Sequence, residues 1–335
     1  MFKQLLLTTT LLAVFSSPAF ADAGKDAYDK GDYAAALALW KPLAEQGNAE
    51  AQFGMGLLYD EGEGVEVNDR TAFDWYLKAA NQGHAVAQNN LGVLLSGCED
   101  IEEDDVAAAG WFTKAAAAGN AEAQANLADS YADGEGVEED DAKAVELNRA
   151  AAEQGNIMGQ FNLGKMYEDG EGVAADQVQA AYWFRKAADQ EDSDAQYSLA
   201  LMHEEARGVE RDYVKARELY QKAADQGDVD SMVNLGYMYD HGRGMPVDDA
   251  KAMEWYKQAA EQGDSDAQYN LGLMYEDGEG VTADPAQALL YFQLAAMQDD
   301  SQAKRAVRRV LRENPSLRPV PQQDEPATGE SDQAE

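Results

Sequence analysis

Cysteine is nearly missing from this chain. Among 335 residues only Cys98 is a cysteine, so no disulfide can close within one chain and the fold must stand on packing. Histidine is almost as scarce. His84, His203 and His241 are the three present, and no H-x-x-x-H or C-x-x-C spacing occurs, which argues against a metal site. Basic residues are few as well: 26 Lys and Arg stand against 63 Asp and Glu, a formal net charge of −37. Such a chain repels nucleic acid and anionic lipid surfaces. The excess acid suits either a solvated surface that keeps the chain soluble or attraction to a basic partner or cations. Beyond the first residues no apolar run approaches the roughly 20 residues of a spanning helix, so no membrane span is predicted.

The start of the chain has a character of its own. Lys3 supplies a positive charge, Leu5 to Phe15 a mostly apolar run, and Ala19-Phe20-Ala21 the small-x-small pattern that signal peptidase cuts after. A signal peptide over 1–21 is predicted, with the mature product beginning at Asp22 and ending up periplasmic or secreted. Loss of Lys3 leaves 25 basic against 63 acidic residues, 25 − 63 = −38.

What fills the rest is repetition. Ala51-Gln52, Ala87-Gln88, Ala123-Gln124, Gly159-Gln160, Ala195-Gln196, Ser231-Met232 and Ala267-Gln268 recur every 36 residues with no insertion or deletion, and they open units at 51–86, 87–122, 123–158, 159–194, 195–230, 231–266 and 267–302. Four positions on stands Leu-Gly or a near relative, as in Leu91-Gly92, Leu163-Gly164, Leu235-Gly236 and Leu271-Gly272. Four further stands a bulky residue, most often Tyr, and spacing of four and four marks one helix face. A Gly-x-Gly-Val turn follows in most units, its glycines including Gly62 and Gly64, Gly170 and Gly172, and Gly278 and Gly280, the first placed to end the helix. A second helix then starts near Asp69, Asp176, Asp212 or Asp284. It carries apolar residues at helical spacing, with Trp75, Trp111, Trp183 and Trp255 among them, and a Gln-Gly pair often closes it.

One such helix pair cannot bury both apolar faces alone, so neighbours must stack. The pattern A-Q-x-x-L-G-x-x-Y-x-x-G-x-G-V, continued by the second helix, is nearly complete in 51–83 and 267–298. It resembles the Sel-one-like repeat, a relative of the tetratricopeptide repeat, over 51–302. The resemblance implies an all-α solenoid, a right-handed superhelix of αα-hairpins. It also implies a role as an adaptor for protein assemblies, often in bacterial envelopes and signalling. The Cys-rich subgroup with a disulfide per repeat is not matched. Around the array, 22–50 reads as an abbreviated first unit with a short helix from Ala23 to Lys30. Residues 303–313 read as a basic capping helix or, alternatively, a binding patch, and 314–335 as a disordered acidic tail.

No constellation for catalysis emerges, and no cofactor is expected. His203 stands where other units carry Tyr and reads as core. Cys98 lies among Glu99, Asp100, Glu102 and Glu103, which dull a thiolate. The Asp-Gly-Glu-Gly turns lack the spacing of a calcium loop, leaving at most weak surface binding. Residues that recur in every unit serve stacking, and Asn90, Asn126, Asn162, Asn234 and Asn270 are read that way, bonding to the adjoining turn. A ligand face should vary instead. The third and seventh positions of the first helix do so, and Phe53, Leu57, Phe161, Tyr197, Leu201, Tyr237, Tyr269 and Leu273 are the candidate partner-binding residues. By resemblance to tetratricopeptide arrays they line a groove, an exposed apolar and aromatic stripe rimmed by acid for a protein or peptide with basic and apolar features. The expected function is therefore a non-enzymatic exported scaffold. A binder or hydrolase-associated protein for cell-wall fragments, or a secreted factor that meets host proteins, would fit the same residues.

Overall fold

The computed structural model describes residues 18–98 and 100–318. Residues 1–17 of the expected signal peptide, and 319–335 of the expected tail, lie outside the described residues. The chain divides into two compact units, 1–211 and 212–335.

In the first unit the helices are α1 (Pro18–Tyr28), α2 (Tyr33–Glu45), α3 (Ala49–Glu61), α4 (Asp69–Ala80), α5 (Ala85–Gly97), α6 (Asp105–Ala117), α7 (Ala121–Asp133), α8 (Asp141–Glu153), α9 (Ile157–Asp169), α10 (Gln177–Ala188) and α11 (Ser193–Glu205). In the second they are α12 (Tyr213–Asp225), α13 (Val229–His241), α14 (Asp249–Glu261), α15 (Ser265–Asp277), α16 (Pro285–Met297) and α17 (Ser301–Glu313), then a 3-10 turn, Pro315–Leu317. No strand occurs among the described residues. Within each unit consecutive helices pack as hairpins, a first (A) helix against a second (B) helix, and each B helix against the next A helix.

Side-chain caps set the helix starts. Asn48, Asn120 and Asn156 in the first unit, and Asp228, Asp264 and Asp300 in the second, accept a backbone N–H from the first turn of an A helix. The A helices thus begin two residues before the boundaries read from the Ala-Gln pairs. B helices open on Asp104, Asp140 and Asp176, or on Asp212, Asp248 and Asp284. In α4 the cap is Asn68, and Asp69, read as the start, is the first helical residue. Each cap contributes about 1 kcal/mol, so part of the acid excess is structural.

The Leu-Gly pair has a steric reason. A Cβ built on Gly164 would lie 2.7 Å from the Phe184 ring, and one on Gly236 would lie 2.6 Å from Tyr256. Where the A helix is bare, the buried aromatic ring of the B helix lies on its backbone; Ala200 opposite the buried Tyr220 is the one place where a methyl group is accommodated against such a ring. The turn glycines act differently. Gly170 closes α9 in the left-handed region at φ +79°, and Gly172, at φ +64°, sits so close to Asp141 that a Cβ would be 2.5 Å from its carbonyl carbon. The second glycine is thus the seat for the preceding B helix.

The Gln residues of both motifs form a ladder. Gln160 Nε2 donates to the Ala152 carbonyl at the end of α8 (3.1 Å), and Gln190 Nε2 donates to Gln160 Oε1 (2.8 Å). Gln52, Gln88 and Gln268 make the same reach to Ala44, Ala80 and Ala260. These bonds satisfy carbonyls at B-helix ends that would otherwise be orphaned.

At the start, α1 runs through the expected cleavage position, with Ala21 buried and its carbonyl accepting from Trp40 Nε1 (3.2 Å). It begins before Ala23, where the sequence reading began it. At the other end α17 packs on α16, and Leu317 lies against a cluster with Phe292 and Val310. Residues 315–317, the start of the expected tail, form this 3-10 turn, with Leu317 against the apolar cluster.

Candidate functional site

All eight candidate partner-binding residues are half-buried, which corrects the expectation of an exposed stripe. The cause is packing within the hairpin. On α3 the Phe53 ring stands 5.9 Å from Tyr76 and stacks on His84 at 4.6 Å, and on α9 Phe161 meets Phe184 at 5.6 Å. Leu57 joins the same core cluster as Phe53. Tyr197 and Leu201 hold the same positions on α11. Each of these rings is thus partly covered and partly exposed.

Between Phe53 and Phe161 the face of the first unit turns polar. Asn89 is buried, where other units carry an apolar or aromatic side chain, and its Oδ1 accepts from Asn126 Nδ2 (2.9 Å). Asn162 Nδ2 donates to Asp129 Oδ1 (2.7 Å), and Asn90 bonds the Tyr76 hydroxyl. The recurring Asn thus reaches back to the preceding repeat and not, as read from sequence, to the adjoining turn. Burial pushes the Asp129 carboxyl up to about 6, with the charge of Asp133 adding to the effect and the Asn162 bond opposing it. A cavity of about 580 Å³ is lined by Asn89, Val93, Glu122, Asn126, Ile157 and Gln190 among others. Lys165, at the next seventh position, pairs with Glu168 (2.8 Å) and Asp169 (3.3 Å).

In the second unit, Tyr237 stacks on His241 at 4.1 Å, and its hydroxyl accepts from Arg243 Nη2 (3.0 Å). Tyr269 leans on Phe292 at 5.5 Å, and Leu273 packs on the same core. Arg309 of α17 makes a two-pronged pair with Glu276, with Nε at 3.1 Å from Oε1, so the basic helix does answer acid in the array.

Cys98 stands where other turns have their helix-ending glycine, and adopts extended backbone. Its Sγ donates to Asp69 Oδ2 at 2.9 Å, and burial first, then this bond, push the thiol up. The sequence reading blamed its chain neighbours; the partner comes from the preceding repeat. His203 is buried, as its Tyr-like position suggested. No group of three or more His, Cys, Asp or Glu among the described residues is arranged to hold a metal ion.

Comparison with known proteins agrees with this architecture. The Sel1 repeat matches at 49–84, 85–120, 121–156, 157–192, 193–228, 229–264 and 265–300. A crystal structure of c5321, a protective antigen of uropathogenic Escherichia coli strains with an SLR fold, is 34% identical, with a TM-score of 0.81. The match covers 92% of this chain and 68% of that one. A Sel1 repeat protein from Oxalobacter formigenes is 30% identical over 90% of this chain and 92% of that one, with a TM-score of 0.65. No curated protein sequence matches significantly.

Proposed function

Because the chain belongs to the Sel1 repeat family, whose members generally mediate protein–protein interactions and are typically non-catalytic, we propose that it is an exported scaffold. It would hold a protein or peptide on the free face of its A helices. The observation that carries this reading is the contrast between positions. Residues at the hairpin seam repeat, while those on the free face change from Phe53 through Asn89 to Phe161 and Tyr197. A stacking role would not need that variety.

The chemistry of the face indicates what it would take. The half-exposed rings offer apolar anchorage, and the carboxylates of Glu122 and Asp129 favour a basic side chain over an acidic one. Export rests on Lys3, the apolar run and Ala19-Phe20-Ala21. The E. coli relative is a protective antigen, which favours a location where this chain too would meet other cells.

The test is photo-crosslinking in cells from positions 197 and 237, with position 254, exposed on α14, as the control. A discrete protein captured from the A-helix positions alone is the expected result. Equal capture from all three positions would remove the A-helix face from consideration.

A further inference from the structure

The outer face of the last B helix breaks the pattern of those before it in the second unit. α12 exposes Glu218, Lys222 and Asp225 there, and α14 exposes Glu254, Gln258 and Glu261. At the same positions α16 exposes Leu290, Leu294 and Met297, with Met297 83% exposed. Spacing of four and three places these three on one helix side. Three aliphatic residues projecting where both siblings in this unit are polar are not explained by stacking.

Next to this stripe is the basic part of the acidic chain. α17 carries Lys304, Arg305, Arg308, Arg309 and Arg312. Arg309 is spent on Glu276 and Arg312 lies 3.5 Å from Glu313, but Arg305, Arg308 and Arg312 are all exposed. Lys304, Val307 and Arg308 share a groove with Met297. Arg308 also stands where Gly272 admits the Phe292 ring one repeat earlier, so α17 cannot take a further B helix as α15 takes α16.

We propose that this end of the second unit docks on an anionic phospholipid surface, with Leu290, Leu294 and Met297 entering the headgroup boundary and Arg305, Arg308 and Arg312 meeting the phosphates. Protruding aliphatic side chains flanked by Arg are what a protein lying on such a surface presents. Nucleic acid would use the arginines and leave the stripe exposed. A protein hot spot is expected to include an aromatic anchor, and the stripe has none. The chain's overall negative charge does not forbid it. At physiological salt a charge is felt over only about 8 Å, so the cluster contends with Asp299 and Glu313 beside it, which it outnumbers, and not with the acids of earlier helices. Those acids favour an approach with the tip leading. The inference is independent of what binds the A-helix face.

The experiment is flotation of the full chain with vesicles of phosphatidylcholine alone, or with about two-fifths phosphatidylglycerol, at low and moderate salt. The first variant, Leu290→Glu with Leu294→Gln and Met297→Glu, installs the residues α14 already carries and so leaves folding intact. The second is Arg305→Glu with Arg308→Glu and Arg312→Glu. The wild type should float with the anionic vesicles only and release with salt, and each variant should bind at least about tenfold more weakly. The proposal is overturned if the wild type stays unbound, if it floats equally with both vesicles, or if both variants bind as well as the wild type. It is also overturned if light scattering shows the first variant converting a dimer to a monomer while no vesicle is bound, because the stripe then belongs to a contact between copies.

Discussion

The two sides of α9 obey different constraints. On one, Gly164 leaves bare backbone against the fully buried Phe184; on the other, Phe161 tilts against that same ring and stays half-exposed. The seam admits only Gly or Ala on the A helix, opposite Phe, Tyr or, once, Asn. The third position of the A helix admits Phe, Tyr or Val half-exposed, and Asn or Ala buried. In a stacked array the energy lies in the seams, which frees the other face for recognition.

That contrast is broken most severely at the seam. Phe184→Ala should cost about 3–5 kcal/mol, as a buried ring replaced by a cavity does, while Phe161→Ala should cost roughly 1–2 kcal/mol. Urea unfolding of both variants checks it, with hydrogen exchange to show whether α9 and α10 open ahead of their neighbours. Equal losses would mean that Phe161 is core and that its half-exposure does not mark a docking face.

The third repeat offers a way to repair a seam. There the ring is replaced by Asn148, buried, with its Oδ1 lacking any partner and its Nδ2 finding only Met166 Sδ at 3.6 Å, and Ala128 holds the position of the bare glycine. A smaller polar residue opposite a larger small one conserves volume but leaves a carbonyl oxygen unsatisfied. The pair Ala128→Gly with Asn148→Phe should stabilise the chain by about 1–2 kcal/mol in the same unfolding measurement. Asn148→Phe alone should stabilise it less than the pair, since Ala128 must give way to the ring as Ala200 does opposite Tyr220.

How much of this could be read from the residues depends on whether a contact repeats. The period, the hairpins and the Leu-Gly face were legible because seven copies in one register display them. The partners of Asn126 and Asn162 were not, since these reach 37 and 33 residues back and the acceptors differ, Asn89 in one case and Asp129 in the other. The free-face positions could be named from helical spacing, yet their half-burial could not, because the rings that cover them belong to the B helix. The acids at B-helix starts were legible at Asp176, Asp212 and Asp284, whereas the Asn and Asp caps of the A helices, from Asn48 to Asp300, became visible only with the helix starts.

On the free face, Asp129 ties stability to pH. Its carboxyl is raised from an ordinary 3.8 to about 6, so the fold favours the protonated form. Below 3.8 both folded and unfolded chains hold the proton and nothing is lost. Between 3.8 and 6 a penalty builds as pH rises, and above 6 it is complete. Screened by solvent at this partly open site, it should amount to about 1–2 kcal/mol. Asp129→Asn keeps an acceptor for Asn162 and should raise the melting temperature at pH 7.5 while leaving it unchanged at pH 3.5. A gain of the same size at both values would trace the effect to packing, not to the charge.

The smallest effect concerns the turn that departs from the rest. Cys98 replaces a glycine, and its thiol is pushed up by burial and by the bond to Asp69. Only the thiolate reacts with iodoacetamide, so at pH 7.5 alkylation should be slower in the folded chain than in urea. Asp69→Asn removes the negative charge but leaves an acceptor oxygen and the cap at Asn68 in place. The rate should then rise a few-fold. An unchanged rate would mean that burial alone governs the thiol. A rise to the unfolded rate would mean that the Cys98 contact with Asp69, the first residue of α4, is what holds this turn together in place of the missing glycines.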